Sequence, residues 1–354
     1  MRMHKHLSRT ELGRILRVSP ATISHWVAEL IDRKLVEEEG LRSTTVGRPT
    51  TYVRLRCDAG FVVVADVMRD SVTIAIINFG GEIVKVSKQE CPMEDYQQGI
   101  DFLRHSLEET MKECDVVKVS GISLIIPGVW DHTRNHLVFS SSLPRWIGMD
   151  LVMHLSTKWD VPLFVENDAT AAAVGHIWFG GTQSLEDALI VLARWGIGSA
   201  VVHAGEVIRG AHGMAIGLGH MVVDATEDEP TCSCGNRGCI EAVLANSIRI
   251  MESDADYSKA DFHRVARVLG VGCANMINLL ELKSIVVVNQ SWAFLDSLWP
   301  DWVEQMRCRI VPHLLHQVSF QISPLEDHAT LLGGAWIAFD QFLSILEEQE
   351  AFNS

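Results

Sequence analysis

Residues 232–241 read Cys-Ser-Cys-Gly-Asn-Arg-Gly-Cys-Ile-Glu, which sets Cys232, Cys234 and Cys239 at C-x-C-x4-C spacing in a glycine-bearing stretch. With His220 upstream they supply four soft or borderline donors, the set that a tetrahedral structural zinc takes, with no position left for a reacting water. Gly235 and Gly238 let the backbone bend around such an ion. The same letters also fit a loop of reduced, unligated thiols. The other cysteines, Cys57, Cys91, Cys114, Cys273 and Cys308, stand singly and read as small buried hydrophobes. Zinc here would be architectural, fixing His220 and the loop that reaches Glu241.

Before this loop, strands alternate with helices. Val62–Val67 and Val72–Asn78 pair across a turn, Ile100–Cys114 reads as a helix, and Val119–Ile126 as a strand ending at Pro127-Gly128. Met149–Lys158 reads as a helix, Leu163–Val165 as a strand and Ala169–Phe179 as a helix. This alternation indicates an α/β architecture with chemistry at strand ends. Asn167-Asp168 falls at such a strand-to-helix junction, where it reads as a pair of binding groups or as a plain N-cap.

The 354 residues favour two or three domains, and 47% hydrophobic with 21% charged residues excludes wholesale disorder. No apolar run reaches membrane-span length and the start lacks a secretory signal, so a cytoplasmic, soluble protein without membrane insertion is expected. The net charge of −15 conceals an asymmetry: residues 1–56 hold 11 Lys+Arg against 6 Asp+Glu, while residues 57–354 carry −20. A basic head on an acidic body implies that only the head meets a polyanion.

In that head, Ser8 and Glu11 form a capping box for a helix Arg9–Arg17 with Leu12, Ile15 and Leu16 inward. Ser19-Pro20 opens a second helix, with Ile23, Trp26, Val27, Leu30 and Ile31 as a buried stripe. Its opposite face carries Thr22, Ser24 and His25, suited to base edges in a DNA major groove. Leu35–Glu39 and Thr51–Arg56 form a hairpin whose tip, Gly47-Arg48-Pro49, directs Arg48 to phosphate or the minor groove. This is the pattern of a winged helix-turn-helix; an ordinary helical hairpin with a basic surface is the alternative. Such modules need a further helix ahead of this pair, so either that helix is missing or the start lies upstream of Met1.

The sequence resembles the ROK family of repressors, open reading frames and sugar kinases over essentially its full length. The resemblance rests on Gly121-Ile122-Ser123 through Ile126-Pro127-Gly128-Val129, Glu166-Asn167-Asp168-Ala169, Gly196-Ile197-Gly198, Gly219-His220 and, most specifically, residues 232–241. The head places it with the family's winged-helix branch, the xylose and N-acetylglucosamine repressors. The resemblance implies an α/β chain: an N-terminal winged helix-turn-helix at 1–56, then a two-lobed, actin-like (ribonuclease H-like) ROK domain at 57–354. Lobe 1 would span about 57–170 plus a C-terminal helix at 329–346, and lobe 2 about 171–328. It further implies a sugar site of Asn167, Asp168, His220 and Glu241, Asp168 matching the base of the kinases, and structural Zn2+ on His220, Cys232, Cys234 and Cys239, one per chain.

Two departures shape the functional expectation. Relatives carry a glutamate where this chain has Gly217, so one carboxylate is lost from the sugar site, which leaves open a shifted specificity, another ligand or a degenerate site. The kinases' glycine-rich phosphate hairpin is here Asp66-Val67-Met68-Arg69-Asp70-Ser71, the second phosphate loop is Arg194-Trp195-Gly196-Ile197-Gly198, and the strand before the adenosine site runs into Asn289-Gln290-Ser291. Side chains of Met68, Asp70 and Trp195 would crowd a triphosphate that needs bare amides. The expectation is a non-enzymatic transcriptional regulator, a repressor of carbohydrate-utilisation genes relieved by a sugar or sugar derivative. Its partners would be operator DNA, that effector and a second copy in a homodimer or homotetramer, and the family also allows a sugar-transport protein. The alternative is an ATP-dependent sugar kinase with a fused DNA-binding head.

Overall fold

The computed structural model describes residues 6–42, 50–91, 93–113, 119–155, 161–180, 185–210, 217–224, 226, 228–253 and 259–353. The head is built from β1 (Leu7–Ser8), α1 (Arg9–Leu16), α2 (Pro20–Asp32), β2 (Val36–Arg42) and β3 (Thr50–Leu55), with β3 pairing antiparallel to both β1 and β2. The capping box forms: Ser8 Oγ accepts from the Glu11 amide at 3.2 Å, and Glu11 Oε2 accepts from the Ser8 amide at 2.8 Å. Leu7, Leu12, Ile23, Val27, Val36 and Val53 close a small core, with Leu30 and Ile31 against it.

Three residues expected inside lie outside. Ile15, Leu16 and Trp26 are 51%, 53% and 43% exposed. Helical periodicity defines their stripe correctly, but among the described residues no further helix precedes α1 to cover it, since Leu7–Ser8 is drawn into the sheet. The wing tip with Arg48 lies outside the described residues.

The body repeats one plan twice. β4 (Phe61–Val67), β5 (Ser71–Asn78) and β6 (Ile83–Glu90) form an antiparallel meander, and β7 (Val119–Ile126) joins β4 in parallel after α3 (Tyr96–Glu113). After the β8 (Val129–Asp131) and β9 (His136–Phe139) hairpin and α4 (Leu151–Leu155), β10 (Leu163–Asn167) completes the order β10-β7-β4-β5-β6. Beyond α5 (Asp168–Phe179) come β11 (Ala188–Ala193), β12 (Ile197–His203), β13 (Glu206–Val207), α6 (Ile240–Ser253), α7 (Lys259–Leu280), β14 (Ser284–Asn289), α8 (Leu295–Arg307), α9 (Pro312–Leu315) and β15 (Ser319–Ile322). The second sheet, β13-β12-β11-β14-β15, has the connectivity of the first, with β11 in the place of β4.

Each sheet buries one face under its own helices: Leu103, Leu107, Trp146 and Leu151 on the first, Leu269, Cys273, Ile277 and Trp302 on the second. α5 and the last helix, α10 (Ala329–Asn353), lie between the sheets. Small side chains let α5 serve both, Ala169, Ala172 and Ala173 packing on the second sheet and Ala171 on the first and α10. The two helices touch backbone to backbone: a Cβ on Gly175 would sit 2.0 Å from the Ala329 carbonyl oxygen, and one on Gly333 would sit 1.7 Å from that of Ala171. Three residues along each helix, Trp178 and Trp336 stack with ring centroids 3.7 Å apart.

Of the single cysteines expected inside, Cys273 is buried, Cys91 is half-buried, and Cys57 and Cys308 are exposed, while Cys114 lies outside the described residues. Cys308 caps α8, its thiol donating to the Glu304 carbonyl at 2.8 Å. No helix of the described residues is long and apolar enough to cross a membrane.

Candidate functional site

The sheets face one another across a solvent-open cleft of about 780 Å3. Asn167, Asp168, His220 and Glu241 all line it. Asn167 is also the N-cap of α5: its Oδ1 accepts from the Thr170 amide at 3.0 Å, and its Nδ2 donates to the Gly128 carbonyl at 2.6 Å and to Asp168 Oδ1 at 3.1 Å. Both amide protons are therefore spent, and one Oδ1 lone pair is left for a ligand. Asn167 is thus the N-cap of α5, and its amide orients Asp168.

Asp168 is buried, and burial raises its carboxyl to about 6, with Arg194 pulling it down and Asp66 pushing it up. Glu241 stands in the first turn of α6, close enough to Gly196 and Gly219 that Cβ atoms there would approach its Oε2 to 2.9 and 3.3 Å. The glycine of the second hairpin turn thus makes room for a carboxylate. Gly217 needs no such room, because a Cβ would meet the His220 ring at an ordinary 3.6 Å.

The occlusion expected from Met68, Asp70 and Trp195 is distributed differently. Met68 and Trp195 line the cleft, but Asp70 does not: it accepts from Ser71 Oγ at 3.2 Å. Arg69 sets its guanidinium 5.9 Å from the Trp195 ring centroid, across the cleft mouth. The group that fills the space between the two hairpin turns is one the sequence reading passed over, Arg194. Only 6% exposed, it pairs with Asp66 and with Asp168, the latter at 3.3 Å, and donates to Gln290 and Thr330. A charged residue directly after the apolar run Ala188–Ala193 was the available signal. Glu166 forms a second junction between the sheets, 2.5 Å from Arg209 and 3.6 Å from His132. Burial works to raise its carboxyl, yet His132, Arg209 and the Asn167 amide hold it below its ordinary value.

Behind the cleft wall, ligand atoms of His220, Cys232 and Cys234 lie within 4.8 Å of one another, and the Cys239 thiol is 3.7 Å from that of Cys234. His220 Nδ1 faces Cys232 Sγ at 3.4 Å, and its ring stands edge-on to Phe139 of the first lobe at 5.1 Å. One imidazole thus serves both the thiols and the cleft. The loop is shaped as expected, with Gly235 at φ 92° and Gly238 at φ 72°, and a Cβ on Gly238 would strike the Asp224 carbonyl. Burial raises the Cys232 thiol and pushes that of Cys239 up to about 12, while hydrogen bonds, led by that of the Asn236 backbone, lower the Cys234 thiol against its burial, so two of the three thiols favour their protonated form. Three donors converge and Cys239 stands beside Cys234, and the chemistry of this donor set fits zinc.

In the head, α2 leaves Ser24 and His25 exposed, whereas the Thr22 hydroxyl is engaged with Ser19 Oγ at 2.8 Å. Arg9 and Arg54 are paired with Glu38 and Glu37. Arg14 and Arg17, which the sequence reading left out, are exposed beside the turn into α2.

The ROK family profile matches residues 63–341. The chain belongs to the ROK family. The xylose repressor of Caldicellulosiruptor bescii is 24% identical to this ROK chain over 379 residues, covering 97% of it and 94% of the relative. The glucokinase of Halalkalibacterium halodurans is 26% identical over 317 residues, 78% of this chain and 94% of the enzyme. A crystal structure of a ROK family transcriptional regulator, a homologue of E. coli Mlc, superposes with a TM-score of 0.75 at 22% identity, over 95% of this chain and 92% of that one. Together they give the fold: an α/β ROK body of two actin-like sheets carrying an N-terminal head.

Proposed function

We propose that this ROK chain is a DNA-binding transcriptional repressor that releases its operator when a sugar or sugar derivative binds the cleft, and that it has lost phosphoryl transfer. One observation carries the reading: alignment with a xylose repressor runs through the head, while a kinase relative of nearly full coverage matches 78% of this chain. Residues 1–56 would form the DNA-binding unit and residues 57–354 the effector-binding unit. In the head, Ser24 and His25 would approach base edges, Thr22 would set the start of α2, and Arg48 would reach phosphate. In the cleft, Asp168, Glu241 and His220 would take sugar hydroxyls, with Asn167 positioning Asp168. Carboxylates suit vicinal hydroxyls because each accepts twice, and a ligand lacking a hydroxyl leaves a buried acceptor unpaired.

His220, Cys232, Cys234 and Cys239 would hold a structural zinc, whose chemistry is that of a cross-link. The residues do the rest: the His220 ring lines the cleft, and the loop carries the chain into Glu241. The effector shifts DNA affinity only by as much as it prefers one disposition of the sheets over another. A symmetric dimer or tetramer would read inverted half-sites. The test is selection of genomic fragments by the full-length protein, repeated with a panel of sugars and with ATP consumption followed in parallel. Sugar-sensitive retention of specific fragments without turnover is expected; sugar-dependent ATP hydrolysis that needs Asp168 would establish the kinase instead.

A further inference from the structure

Asp66 and Arg194 occupy corresponding places in the two sheets, at the ends of β4 and β11, and the hairpin turns that follow face each other. The guanidinium is spent entirely inside the protein, on Asp66 from β4, Asp168 from α5, Gln290 after β14 and Thr330 in α10. Thr330 Oγ1 donates to Asp66 Oδ2 at 2.6 Å, while the other oxygen, Oδ1, is buried with no hydrogen-bond partner among the described residues. Met68 and Arg194 line both the cleft and a second, solvent-open pocket behind it, which Thr73, Lys88, Gln290 and His328 also line. Met68 and Arg194 therefore form the partition between the two spaces.

Two buried carboxylates that converge from different elements repel one another unless they share a proton or hold a cation between them, and besides a guanidinium or an ammonium, coordination chemistry offers a divalent ion with oxygen ligands. We propose that Arg194 is a built-in counter-cation: it holds the position between Asp66 and Asp168 that a divalent ion would otherwise take, bars metal-bound phosphate from the cleft, and ties the two sheets. The orphan Oδ1 of Asp66 is the further oxygen ligand such an ion would use. The proposal deepens the sugar-cleft reading by explaining what keeps phosphate out, but its geometry is independent of DNA binding.

The experiment follows thermal unfolding of the full-length chain with and without Mn2+. The unaltered protein and Arg194→Lys should be indifferent to the ion. Arg194→Ala should unfold at lower temperature and regain about 5 °C in millimolar Mn2+, as expected for an ion that binds only the folded state. Adding Asp66→Asn should abolish that response. Arg194→Gln, which keeps amide donors toward Thr330, is measured alongside in case the alanine variant does not fold. A Mn2+ response in neither variant, or one that survives Asp66→Asn, overturns the proposal. Operator and sugar assays on the unaltered chain decide the repressor reading separately.

Discussion

Asp168 makes effector capture a question of pH. Its folded carboxyl stands at about 6, above the value of an unfolded aspartate, because burial and Asp66 outweigh Arg194. Between about pH 4 and 6 the folded chain holds a proton that the unfolded chain has released, so this residue lowers stability as pH rises through that window and is neutral above it. Sugar hydroxyls need the ionised form as acceptor, so calorimetry should show effector affinity rising from pH 5 to pH 7, and Asp168→Asn should weaken binding and flatten the profile. Gly217→Glu should leave stability unchanged, since its Cβ has room, while altering which sugars protect the protein in a melting screen. The acids and amides of the cleft were legible in the sequence because short motifs carry them. Arg194 was not, because its partners Asp66, Gln290 and Thr330 stand 128, 96 and 136 residues away and only the fold makes them neighbours. Asn167 shows the converse, its capping role being entirely local.

Elements were readable to the extent that their causes are local. The Ser8–Glu11 capping box, the Ser19-Pro20 start of α2 and the turn at Gly235 and Gly238 all follow from neighbouring letters. Whether a stripe is covered does not, and Ile15, Leu16 and Trp26 mark that limit. The thiol loop supports a prediction of its own: chelator-washed protein should retain about one zinc per chain, and Cys234→Ser should lose it together with thermal stability. Because two of its thiols are held protonated without a cation, metal affinity should climb with pH in a competition titration. At the helix crossing, Gly333→Ala forces a methyl group against the Ala171 carbonyl, so urea denaturation should register a loss at or above the ~3 kcal/mol upper range of ordinary overpacking.

At the scale of the whole molecule, the charge division sets how operator binding is measured. The acidic body opposes DNA and the head attracts it, so affinity should fall steeply with salt, His25→Ala should change sequence preference, and Arg48→Ala should weaken all sequences alike and reduce the salt slope by about one in filter-binding assays. Two sheets of one connectivity were foreseen only through the family, since neither their pairing order nor the place of α5 between them is written in any local pattern. That place has a mechanical consequence. Where Gly175 and Gly333 meet, the two backbones touch directly, and such a contact would serve as a fulcrum, with the Trp178–Trp336 stack as a brake beside it. Asp168 lies seven residues up the helix from Gly175, an arm of roughly 10 Å at 1.5 Å per residue. A swing of about 5° at the fulcrum would carry its carboxylate through an arc of roughly 0.9 Å on that arm, enough to make or break a hydrogen bond. On the proposed reading, a sugar gripping that carboxylate would pull on the long end of a lever.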